Sequence, residues 1–113
     1  MTNDTINYIE FPATDIAATK RFYSGVFGWQ FVDYGPNYVS FQGAGIDGGF
    51  TTDNSIAATG GVLVVLYNKD LEGLNAKIAE HGGRVTRPIF QFPGGRRFHF
   101  LDPNGNELAV WAE

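Results

Sequence analysis

Glu10 and His99 are the strongest candidates in this chain for proton transfer. A carboxylate and an imidazole can act as base and acid on a bound molecule. Glu10 lies in Tyr8-Ile9-Glu10-Phe11, where one parity is polar and the other apolar. Side chains alternate across a strand, so Glu10 projects away from Ile9 and Phe11. Arg97 shares a parity with His99 and could reach an anionic ligand. A plain structural role competes with the chemical one: Glu10 pairs with Arg97 or His99 and fixes the wall of a groove.

The elements that would position these groups repeat at an offset of 55 residues. Asp15 matches Asp70, and Gly28 matches Gly83. Residues 6–11 match Gly61-Val62-Leu63-Val64-Val65-Leu66. Each copy reads as an apolar strand, an Asp that caps a helix, a helix, and a glycine turn. Apolar residues at Ile16, Phe22, Tyr23, Val26 and Phe27 have helical spacing, as do Leu71, Leu74 and Ile78. Strands are expected over residues 29–34, 38–42, 62–67, 84–86, 89–92, 97–101 and 107–111, with a short one through Phe50 and loop from Gly43 to Gly49. Each half is therefore βαβββ. The modules are 6–52 and 61–112, joined by a linker at about 53–60. Neither half buries enough apolar surface alone, so the two must pack into one α+β domain spanning 1–113.

Composition narrows the function classes. A hydrophobic content of 43% with 18% charged residues fits a folded domain. The net charge of −4 gives no reason to expect nucleic acid. The absence of cysteine excludes disulfides, thiolate metal sites and cysteine nucleophiles. The longest apolar run, Val62 to Tyr67, is far short of the ~20 residues that span a membrane. Residues 1–5 lack the parts of a signal peptide, so the cytoplasm is expected.

Arg21-Phe22-Tyr23, Phe27-Gly28-Trp29 and Asp102-Pro103-Asn104-Gly105-Asn106-Glu107, with the stretch from Tyr8 to Asp15, resemble the vicinal oxygen chelate superfamily. That group includes glyoxalase I, extradiol dioxygenases and bleomycin-resistance proteins. The resemblance covers almost the whole chain and implies paired βαβββ modules, with curved mixed sheets and helices on the outer faces. It also implies where a metal would sit. Metal-binding members carry a His seven residues before each capping Asp, which here gives Tyr8 and Leu63. A Glu seven residues after the Asp of the turn corresponds to Ala109, and the last ligand place falls near Gly49 or Phe50. Leu63 and Ala109 cannot donate, so no metal and no other cofactor is expected. Glu107 stands two residues short of the ligand register, a shift of about 7 Å along a strand.

The same register lists the groove: Tyr8 and Glu10; Leu63, Val65 and Tyr67; Glu107, Ala109 and Trp111. The opposite parity (Ile9, Phe11, Val62, Val64, Leu66, Leu108, Val110) is apolar and should meet the helices. His99 stands where dioxygenase-like members place a catalytic Tyr, and module analogy adds Tyr38 and Ser40. Other residues have plainer readings. His81 ends a helix, Arg96-Arg97 follows a hairpin turn, and Phe22, Tyr23 and Phe27 are core. Trp29, Trp111, Phe90 and Phe92 fit core or groove equally. Gly43-Ala44-Gly45 does not precede a helix, so it is no phosphate loop.

The first functional expectation is a metal-free protein that binds a small, anionic or aromatic molecule between its modules. The second is a metal-independent lyase or isomerase using Glu10 and His99. A metal-dependent lyase or dioxygenase with non-standard ligands is a further alternative, and an interaction module with a filled groove is another. The resemblance also implies a homodimer.

Overall fold

A computed structural model describes residues 2–53 and 61–113. All of the expected linker after Asp53 lies outside the described residues. The chain runs β1 (Tyr8–Pro12), α1 (Ile16–Phe27), β2 (Gln30–Asp33), β3 (Tyr38–Gln42), β4 (Asp47–Thr51), then β5 (Val64–Tyr67), α2 (Leu71–Glu80), β6 (Arg84–Phe92), β7 (Gly95–Leu101) and β8 (Glu107–Ala112). The first sheet has the order β1-β4-β3-β2 and the second β5-β8-β7-β6. In each, the first strand pairs in parallel with the last, and the other pairs are antiparallel.

Local chemistry starts and stops the helices as expected. Asp15 caps α1 by accepting the Ala18 amide at 3.0 Å, and Asp70 caps α2 by accepting that of Gly73 at 3.0 Å. Gly28 ends α1 with φ of 75°, a conformation that disfavours a Cβ.

Several strand ends shift by one or two residues from the sequence reading, and three differences go further. β4 begins at Asp47, so Gly48 and Gly49 are strand rather than loop. Glycine weakens a strand by itself. Here each gap is filled from β3: Phe41 lies over Gly48 on one face and Tyr38 over Gly49 on the other. β5 begins at Val64, not Val62. Its parallel partner β8 starts at Glu107, and upstream of that Asn106 is held in the turn, so the ladder has nothing to pair. Val62, expected against a helix, is 91% exposed. Residues 84–92 form one strand, with register shifts either side of Arg87 that accommodate Pro88, which has no N–H to donate.

The helix-bearing faces of the two sheets meet through α1. Tyr23 packs on Phe50 of the first sheet at 5.0 Å, and Phe22 on Phe100 of the second at 5.9 Å. Trp29 is core: it is buried and stacks on Tyr23 at 4.7 Å. The turn between β7 and β8 locks this seam. Buried Asp102 accepts the Tyr23 hydroxyl at 2.9 Å and the amides of Asn104 and Asn106 at 2.9 and 2.8 Å. Asn104 accepts the Thr14 amide at 2.9 Å, and the Asn106 side chain donates to the Pro12 carbonyl at 2.8 Å. Burial, then the Asp102 charge, pushes the Tyr23 phenol well above the ordinary tyrosine range. The sequence motifs that carry the family resemblance are thus the staple between modules.

Candidate functional site

The open face of the second sheet gathers most of the polar candidates. The β7–β8 ladder sets Arg97 opposite Trp111, His99 opposite Ala109 and Leu101 opposite Glu107. His99 is 7% exposed, and its Nδ1 lies 3.2 Å from Glu107 Oε2. Its Nε2 is buried with no hydrogen-bond partner, as is Nε of Arg97. A buried polar atom left unpaired costs roughly 1–3 kcal/mol, so two on one face call for a partner. Both groups adjoin Phe90: the His99 ring is 5.8 Å away and the Arg97 guanidinium 5.4 Å. Arg87 lies over the same ring at 3.8 Å, and Phe92 is 5.5 Å from Arg97. Tyr67 and Trp111 meet edge-on at 5.1 Å on the same face. The arrangement offers rings for stacking and cations for an anion.

The first sheet presents a separate cluster. Tyr38 reaches across Gly49, and its hydroxyl hydrogen-bonds that of Tyr8. Partial burial, then Tyr8 and the neighbouring Glu10 carboxylate, raise the Tyr38 phenol beyond its ordinary range. Ser40, half-buried, lies between Val32 and Gly49. Glu10 therefore meets neither Arg97 nor His99. The carboxylate beside His99 is Glu107, and Glu10 belongs to the tyrosine cluster on the other sheet. Among the described residues, every hydrogen bond, ion pair and aromatic contact of these clusters stays within one sheet. Among the described residues, no hydrogen bond, ion pair or aromatic contact joins Tyr8 to Leu63, His99 or Ala109 across the expected shared groove.

A cleft of about 520 Å³ does lie between the modules, at the edges of β1 and β5. Its lining includes Ile9, Trp29, Val64 and Leu66, with Val65 and Tyr67 from the expected groove. No charged side chain borders it, so it lacks an anchor for an anion. Ala109 has no exposed surface and is floor rather than a contact. Leu63 lies just outside β5. Arg96 faces away and pairs with Glu72 at 2.7 Å, which lowers the Glu72 carboxyl. The His81 ring covers Gly25 of α1, a packing role.

Arg87 is a site residue that the sequence reading does not single out, and Phe90 and Phe92, open there between core and groove, lie on the groove face. The hairpin after Phe92 pairs it with Gly95 and Phe90 with Arg97, and the Pro93-Gly94 turn signals that register. Metal chemistry finds little support in the donor set. Of the implied ligand positions, Leu63 and Ala109 carry hydrocarbon, Gly49 carries nothing, and the Tyr8 hydroxyl is engaged by Tyr38. Among the described residues no three His, Cys, Asp or Glu side chains gather. These residues do not fit a divalent ion.

Paired βαβββ modules with open sheet faces define the class of fold. Residues 5–110 match the sequence profile of the Glyoxalase/Bleomycin resistance protein/Dioxygenase superfamily, and the chain belongs to that superfamily. It is 26% identical over 120 residues to CFP32 of Mycobacterium bovis and Mycobacterium tuberculosis, which carry a glyoxylase name. That match takes in 95% of this chain and 45% of theirs, so the chain spans about half the length of those relatives. Its fold is shared with a glyoxalase-related enzyme from Fulvimarina pelagi (TM-score 0.80, 24% identity, 96% of this chain and 87% of that one). It is shared too with the fosfomycin resistance protein FosX of Listeria monocytogenes (TM-score 0.83, 15% identity, 99% and 95%). Among the described residues, no helix is long and apolar enough to cross a membrane.

Proposed function

We propose that this chain binds a small anionic or aromatic molecule on the open face of its second sheet, without a metal. The observation that carries this reading is the pair of unpartnered buried atoms, His99 Nε2 and Arg97 Nε, beside Phe90. The ligand's ring would pack on Phe90, Phe92 and Trp111 while its anion meets Arg97.

One sheet face cannot enclose a ligand, and small-molecule sites bury most of the ligand's surface. A homodimer supplies the cover in this proposal. The Tyr8–Tyr38 face of a second copy would lie over the first copy's His99 face. Exposed Tyr8, Val65 and Tyr67 give both faces apolar area to bury. The cytoplasm is the compartment this reading assumes.

Thermal denaturation with benzoate, 4-nitrophenol and acetate tests the binding. Aromatic compounds should raise Tm through mass action and acetate should not. Equal silence from all three argues against the proposal. Metal analysis of protein made without a His tag should find less than one divalent ion per chain. One tightly held ion per chain would contradict the metal-free reading.

The Nδ1 contact of His99 with Glu107 favours a second reading, metal-independent acid–base catalysis by a lyase or isomerase. Turnover of a binding compound would support it. Glu10, on the other sheet, could take part only across the dimer. A Glu10→Gln variant with unchanged turnover would remove it.

A further inference from the structure

We infer that Glu107 is a positioning residue that fixes the tautomer of His99, and that the site therefore selects a ligand bearing an acidic O–H, a phenol or an enol. This rests on the ligand site proposed above.

A carboxylate accepts hydrogen bonds and cannot donate them. At 3.2 Å from Glu107 Oε2, Nδ1 of a neutral His99 is therefore the nitrogen that carries the proton. Nε2 is then a bare acceptor, and it is the atom left without a partner. A carboxylate behind the ring sets the free nitrogen of many functional histidines in this way. Two residues along the same face of β7, Arg97 Nε is a donor without an acceptor. The two unmet needs are thus one proton donor and one acceptor. A hydroxyl oxygen satisfies the first through its hydrogen. It satisfies the second as negative charge builds on it or on a conjugated oxygen.

The charged groups facing His99 fit that polarity. Glu107 comes from β8, Arg87 from the paired position on β6, and Arg97 from its own strand. If the proton moves fully, the O–H bond breaks and an Nε2–H bond forms. Glu107 then faces the imidazolium, and the two arginines face the oxyanion. No further reactant is needed. The Phe90 ring lies beside both groups, 5.8 Å from the His99 ring and 5.4 Å from the Arg97 guanidinium, where an aromatic ligand would pack.

Nitrogen-15 NMR of the imidazole tests the tautomer directly. Wild-type protein should show His99 protonated at Nδ1, with Nε2 bare. Glu107→Ala should shift the proton toward Nε2, and Glu107→Gln, whose amide oxygen can still accept, should restore it in part. Glu107 is half-exposed, so its variants should fold. Proton at Nε2 in the wild type, or a spectrum unmoved by Glu107→Ala, would overturn the inference. For selectivity, 4-nitrophenol should bind about tenfold or more tightly than 4-nitrotoluene, the effect of one good hydrogen bond in a buried site. Glu107→Ala should erase that ratio while leaving 4-nitrotoluene unchanged. Equal affinities in the wild type would overturn the ligand class. If neither compound binds, the ligand site itself fails, whereas the NMR result judges Glu107 independently.

Discussion

Two polar clusters in this chain follow opposite rules. At the seam between modules, Asp102, Asn104 and Asn106 meet Tyr23, Thr14, Thr19 and Pro12, and no side-chain polar atom of these residues is left buried and unpaired among the described residues. On the open face of the second sheet, His99 and Arg97 each keep one buried atom unpaired. The first pattern stabilises a fold, because satisfied buried networks hold a unique arrangement. The second lowers stability and leaves valences for something else. The contrast separates structural from functional polarity without reference to any relative.

The largest expected break is at the seam. Asp102→Ala should lower the unfolding free energy by roughly 3–5 kcal/mol in urea denaturation, since it strands several neutral donors at about 1–3 kcal/mol for each that is buried. A loss below about 1 kcal/mol would show that the network matters less than its bonds suggest.

Tyr23→Phe should cost about 1–2 kcal/mol at neutral pH. It also has a pH signature. The folded phenol keeps its proton above the ordinary value of 10.0, whereas the unfolded chain loses it. The folded state then binds more protons, so stability falls as pH rises past 10.0, by about 1.4 kcal/mol per pH unit. The variant should fall less steeply, keeping only the part due to other raised phenols such as Tyr38. A wild-type curve as flat as the variant's up to pH 11.5 would contradict the burial argument.

The open face should respond with the opposite sign. His99→Phe removes an unpaired buried atom, so stability should stay level or rise by up to about 1 kcal/mol. Ligand binding should be lost. The smallest effect belongs to a pair outside both clusters: Glu72→Ala, which breaks an exposed ion pair with Arg96, should leave the denaturation midpoint unchanged.

Most of the fold was legible because its signals are local. Asp15, Asp70 and Gly28 mark helix ends through their own backbone chemistry, and strand parity follows from alternation. The site was legible by halves. The turn from Asp102 to Asn106 sets Leu101 opposite Glu107, so the neighbourhood of His99 and Glu107 follows from strand register. Tying His99 to Glu10 required knowing whether the two sheet faces meet. That depends on how α1 wedges between the modules through Phe22 and Tyr23, a packing fact with no periodic trace. Gly48 and Gly49 misled for a similar reason, since their strand is completed by aromatic side chains from β3.

The most direct test pairs stability with binding in one variant. Wild-type and His99→Phe proteins are melted with and without 4-nitrophenol. The account predicts a ligand-dependent rise in Tm for the wild type, none for the variant, and a ligand-free variant at least as stable as the wild type. A variant that keeps the full ligand shift would contradict the claim that the open face of the second sheet is the functional site. So would one that loses several kcal/mol of stability.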